Sequence, residues 1–147
     1  MRLCLAIPEI DTGLVRDVCT ALANYNARTY RCAAGQSCTR DPWSVRYNES
    51  AGDSKGRAGE GPVLVMRDAV DLVVAGSGAC GELAAAYVGW LDSRNIPAAI
   101  EVIDTGKDGD GVQTWHVVAR IHGGRHGVID PARPETVYPW RAAYGVR

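Results

Sequence analysis

The hydrophobic rhythm of this chain changes once, near Pro97, and that change confines it to a small set of architectures. Before Pro97 apolar residues recur every three or four positions; after it they alternate. A helix is predicted from Asp11 or Thr12 to Tyr30, with Asp11 or Thr12 accepting open amide protons of its first turn. Leu14, Val18, Leu22 and Tyr25 form its apolar stripe. PVLVMRDAVDLVVAG predicts a second, mostly buried helix that starts at Pro62, carries Arg67, Asp68 and Asp71 as its polar edge and stops at Gly76. After a Gly76-Ser77-Gly78 turn, a third helix runs from Ala79 to Arg94, with Leu83, Ala84, Tyr87 and Leu91 on its packed face. Beyond Pro97, AAIEVID, VQTWHVVARI and HGVID read as three strands, joined by TGKDGDG and HGGR. Consecutive strands with short turns form an antiparallel meander. The expected class is therefore α+β, with N-terminal helices packed on a small antiparallel sheet.

The remaining segments read as connections. RCAAGQSCTRDP is a loop, Trp43–Tyr47 a short extended piece, and residues 48–61 a polar surface loop. The tail PARPETVYPWRAAYGVR carries three prolines and is expected to wrap the surface. A length of 147 residues suits one domain, 1–147. The net charge of −1 supplies no global field for nucleic acid or anionic lipid, so neither is expected as a partner. In the opening MRLCLAIPEID the apolar run is cut by Pro8, Glu9 and Asp11, too soon for a signal-peptide core or a membrane span. Together with an odd number of cysteines, at 4, 19, 32, 38 and 80, this points to a reducing cytoplasm. Cys32 and Cys38 share a polar loop without a nearby histidine; a local disulfide stays open there, and a zinc site is not expected. DTGKDGDG is too short for a calcium loop and lacks its closing Glu, so no metal or cofactor is expected.

Three residues stand out for chemistry. Cys80 begins a helix directly after a glycine turn, where unpaired amides and the helix dipole favour negative charge on sulfur. The same amides can hold an oxyanion, and small neighbours Gly78, Ala79 and Gly81 leave room for a substrate backbone. His116 lies in a strand, on the face opposite Trp115 and Val117; His122 and His126 flank a turn and are expected in solvent. A turn centred between Gly123 and Gly124 pairs His116 with Pro131, one place from Asp130. Asp130 can thus orient the imidazole, although an aspartate that starts a turn before proline is also a structural device. Taken together, Cys80, His116 and Asp130 supply a nucleophile, a base and an orienting acid.

GSGACGELAAAYVGWLDSRNIPA resembles the nucleophile helix of the transglutaminase-like superfamily. WHVVARI resembles that family's histidine strand, and GVIDPAR its aspartate strand with the Asp-Pro pair. The compact gaps, and ARTYRC followed by DPWSVRYNES upstream, resemble members encoded in bacteriophage genomes. The likeness covers residues 76–133 well and 20–50 loosely. It implies a papain-like fold, a Cys80-His116-Asp130 triad, a protein or peptide substrate, and residence in the host cytoplasm or a virion. Glu82 stands where the family often has Asp, and reads as support for the helix start. The family's upstream oxyanion donor is not evident; Trp43 and Gln36 are candidates by residue type alone. The expected reaction is acyl transfer on an amide, by hydrolysis or transamidation. The alternative is a non-catalytic structural or assembly protein that retains the fold, with virion partners.

Overall fold

A computed structural model describes residues 2–6, 12–31, 39–49, 53–54, 63–107, 109, 111, 113–123 and 127–145. Cys32, Cys38, Gln36, His126 and most of the 48–61 loop lie outside these residues. The elements in chain order are β1 (Arg2–Ala6), α1 (Thr12–Tyr30), β2 (Arg46–Tyr47), β3 (Asp53–Ser54), β4 (Val63–Arg67) and α2 (Ala69–Ala75). They continue with β5 (Ser77–Gly78), α3 (Cys80–Ser93), β6 (Ala98–Lys107), β7 (Gln113–Ile121), β8 (Val128–Ile129) and α4 (Pro134–Tyr144). Helices and small sheets are both present, so the class is α+β.

The core is built around α3, which is buried on every side from Gly81 to Leu91. The expected face of Leu83, Ala84, Tyr87 and Leu91 is fully buried, but it is one face of a central helix. The meander forms as expected, in the order β6-β7-β8, with both pairings antiparallel. Val117, Ala119, Ile121, Ile100 and Ile129 of these strands join the α3 core. Strand β6 runs through Thr105 to Lys107 by way of a register shift between Asp104 and Gly106, so the first turn starts later than TGKDGDG suggested. At the end of α3, Asn95 adopts φ 60, while the Asn95 and Ile96 amides donate to Asp92 and Leu91 carbonyls. That pair of bonds closes the helix with a Schellman turn.

Three expectations fail. The segment from Pro62 to Gly76 is not one helix: Val63–Arg67 is a strand, and only Ala69–Ala75 is helical. A short apolar run fits either state, and pairing with β1 decides for the strand, matching Leu3 to Met66 and Leu5 to Leu64. Asp68 is consequently the cap of α2, its side chain accepting from the Asp71 amide at 3.0 Å, rather than part of a helix edge. The 48–61 loop contains β3, which pairs antiparallel with β4. The tail, expected only to wrap the surface, forms a helix, α4, with most of its residues exposed.

The third failure concerns which side of α1 faces inward. Leu14 and Tyr25 are exposed, whereas Val15, Cys19, Leu22, Ala23, Asn26 and Ala27 are buried. The stripe is rotated because α1 meets α3 through small residues. A Cβ on Gly89 would lie 2.7 Å from Asn26 Cβ and 2.9 Å from the Ala23 carbonyl oxygen. Gly89→Ala is therefore expected to destabilise the fold by about 1–3 kcal/mol, because backbone on the facing helix must move. Urea melts monitored by tryptophan fluorescence will show this as a lower midpoint with an unchanged slope.

Candidate active site

The chain delivers Cys80 to its place through short backbone contacts. Gly76, at φ 77, closes α2 with a left-handed residue and turns the chain into β5. Strand β5 lies parallel to β2: the Arg46 amide donates to the Gly76 carbonyl at 3.0 Å, and the Asn48 amide to Gly78 at 2.8 Å. Ala79 then caps α3 in an extended conformation, and Cys80 is the first helical residue. Ala79 has no side-chain acceptor, so Glu82 supplies the cap from inside the helix. Its Oε1 accepts from the Ala79 amide at 3.1 Å. Glu82 is fully buried and also binds Arg67 through the Arg67 amide (2.8 Å), Nε (2.7 Å) and Nη2 (3.0 Å). Arg67 Nη2 reaches on to the Ser77 carbonyl at 3.0 Å, so one buried ion pair ties β4, β5 and α3 together beneath Cys80. The expected supporting role of Glu82 is what its geometry provides.

The glycines around Cys80 serve a different purpose from the one inferred. A Cβ on Gly78 would strike Leu72 Cδ1 at 2.3 Å, and one on Gly81 would sit 3.3 Å from Cys19 Sγ. Both positions face inward, so their smallness serves packing and not substrate approach.

His116 stands beside Cys80, with its side chain 21% exposed. Its Nε2 lies 2.6 Å from Asp130 Oδ1. That contact fixes the proton of the neutral ring on Nε2 and leaves Nδ1 for the thiol. The imidazole is raised from 6.5 to about 9, first by its side-chain hydrogen bond with Cys80 and next, against the opposing effect of burial, by its bond with Asp130. The structure thus brings together all three residues singled out in the sequence. The pairing differs in detail from the one expected. Ala119 faces Ile129 and Arg120 faces Val128, one residue beyond the register of a turn centred between Gly123 and Gly124. Continuing this register sets Asp130 opposite Val118, on the same face as His116 and diagonal to it. The expected register would have placed the carboxylate on the other face of the sheet.

Asp130 also starts the turn before Pro131, its Oδ1 accepting from the Ala132 amide at 2.9 Å. The orienting and the turn-forming readings of this residue therefore both hold as geometry. His122 is exposed, as expected. Cys19 is buried, and burial, with a further contribution from charge at Cys80, pushes its thiol up to about 12. Cys80, in contrast, is partly accessible.

Trp43 is not at the site. Its ring is fully buried, stacked on Tyr87 at 4.8 Å and Trp140 at 5.4 Å, and edge-on to Trp90 at 5.2 Å. This complete burial, and not a place beside Cys80, is what the structure gives the expected oxyanion donor Trp43. The donors that position supplies are the first amides of α3, which have no acceptor within the helix. Among the described residues no group of three or more His, Cys, Asp or Glu could hold a metal ion. No helix among them is long and apolar enough to cross a membrane.

Comparisons with protein-family models, with curated proteins and with solved structures find no match to this chain. Two residues near the triad escaped the sequence reading. Tyr47 presents its ring nearly perpendicular to His116, centroids 6.5 Å apart. Thr136 bonds the backbone of Asp130. Tyr47 had no local signal, because only the pairing of β2 with β5 brings it to Cys80. Thr136 had one, a hydroxyl residue three places after Arg133 at the start of a helix, but no helix was predicted in the tail.

Proposed function

We propose that this chain is a thiol-dependent acyl-transfer enzyme of the transglutaminase-like, papain-like kind, acting on protein or peptide amides. The observation that carries this reading is one imidazole hydrogen-bonded to a carboxylate and raised in proton affinity by a thiol at a helix start. His116 holds the Cys80 proton, and the thiolate attacks the carbonyl carbon. The helix-start amides stabilise the oxyanion that forms. The imidazolium then protonates the leaving amine, and the C–N bond breaks to leave a thioester on Cys80. Water resolves it in a peptidase or amidase, and a lysine amine in a transamidase; we favour hydrolysis. The likeness of the motifs to bacteriophage-encoded members suggests a host-cytoplasmic or virion setting.

A second reading is a virion or assembly protein that retains the fold without catalysis. The seclusion of Trp43 in the core favours it, because one of the two side chains expected as oxyanion donors is then withdrawn. An activated ester separates the two. On mixing with p-nitrophenyl acetate, the enzyme is expected to release a burst of p-nitrophenol and to carry one acetyl group on Cys80, seen by peptide mass mapping. Wild-type protein that gives no burst and carries no acetyl group would establish the non-catalytic reading.

A further inference from the structure

We propose that Thr136, on the C-terminal helix, is a positioning residue that clamps the backbone of Asp130 and so holds its carboxylate against His116. The inference rests on the catalytic reading above and extends it to a residue that touches neither thiol nor imidazole.

Asp130 follows the last residue of β8, where the sheet ladder has ended. Thr136 Oγ1 takes the place of a ladder partner. It accepts from the Asp130 amide at 2.9 Å and lies 3.0 Å from the Asp130 carbonyl oxygen and 2.7 Å from that of Arg133. A hydroxyl has one proton, so it donates to one of these carbonyls at a time while accepting from the amide throughout. Asp130 Oδ1 divides its lone pairs between His116 Nε2 at 2.6 Å and the Ala132 amide at 2.9 Å. The turn alone would let this carboxylate pivot with its backbone; the hydroxyl fixes the pivot.

The clamp is mounted on a docked element. Val137, next to Thr136, is 3% exposed. Further along α4, Arg141 Nε donates to the Trp43 carbonyl at 2.6 Å, and Trp140 stacks on Trp43. Nor is Thr136 an ordinary helix cap: the capping residue is Arg133, whose side chain makes no capping bond, and Thr136 reaches backward from within the first turn. The charged groups acting on His116 are Cys80 from α3 and Asp130 from this turn, while Tyr47 of β2 meets it with a ring edge.

The test is an NMR titration of the His116 ring in the full chain, in wild type, Thr136→Val, Thr136→Ser and Asp130→Asn. Valine keeps the shape and removes the hydroxyl; serine restores it. The His116 midpoint of about 9 is expected to fall in Thr136→Val toward the value in Asp130→Asn, and to return in Thr136→Ser. Iodoacetamide labelling of Cys80 near neutral pH will slow in the valine variant and recover with serine. A hydroxyl that served only the turn would lower stability and leave the titration alone, so a His116 midpoint in Thr136→Val indistinguishable from wild type overturns the proposal. Should the valine variant not fold, Thr136→Ala carries the same expectations. Failure of the catalytic reading is separately visible: p-nitrophenyl acetate would not acylate wild type, whatever Thr136 does to the imidazole.

Discussion

Glu82→Ala is expected to destabilise the fold by about 3–5 kcal/mol, the largest effect on stability of any single side chain described above. The carboxylate is fully buried, and its two oxygens accept four hydrogen bonds, three from Arg67 and one from the Ala79 amide. Truncation leaves the Arg67 guanidinium, itself mostly covered, without its counter-charge and opens the start of α3. Glu82→Gln keeps the shape and cannot neutralise the guanidinium, so it is expected to fall between wild type and alanine. Urea denaturation measures both variants. A loss under about 1 kcal/mol in Glu82→Ala would mean that the ion pair does not brace the turn before Cys80, since that is the scale of an exposed pair.

The second large effect is on reactivity. Cys80→Ala is expected to abolish acetyl transfer from p-nitrophenyl acetate, and His116→Ala to slow it by about 10²–10⁴-fold, the usual contribution of a positioned acid–base. The pH dependence follows from the imidazole. Its raised proton affinity, about 9 against 6.5, keeps the ring charged beside the thiol through neutral pH, so the rate falls on the alkaline side near pH 9. The same linkage fixes the sign for stability. Bonding to the charged ring stabilises the fold fully below pH 6.5, and that contribution is lost as pH rises through about 9. Because the bond with Cys80 is the largest cause of the raised value, Cys80→Ala will move the His116 midpoint down, as an NMR titration can follow.

Much of this arrangement was legible in the residues. The cysteine helix and the meander carry strong local signals, a glycine turn before GACGEL and alternating β-branched runs between turn residues. What escaped depends on distant partners. Strand β4 is a strand because β1, some sixty residues earlier, pairs with it; nothing within VLVMR distinguishes it from a helical turn. The inward face of α1 was misassigned because size, and not hydrophobicity, governs the contact at Gly89, where the backbone of Ala23 and Ala27 packs closely. The tail, with its three prolines, was expected only to wrap the surface. Pro134 occupies the first helical position, where a missing amide proton matters little, and Pro139 sits within α4 as the exception. At the site itself, residue types and order singled out Cys80, His116 and Asp130, which the fold brings together. The one-residue register that puts the carboxylate on the imidazole's face was beyond sequence, because turn geometry sets it.

The central claim is that the imidazole of His116 activates the sulfur of Cys80. Iodoacetamide labelling rates across pH, resolved to the Cys80 peptide by mass spectrometry, measure this in wild type and His116→Ala without any knowledge of the substrate. The account predicts that wild type reacts at least about tenfold faster than the variant near neutral pH, where an unassisted thiol is mostly protonated. Equal labelling rates of the two proteins at every pH would contradict it.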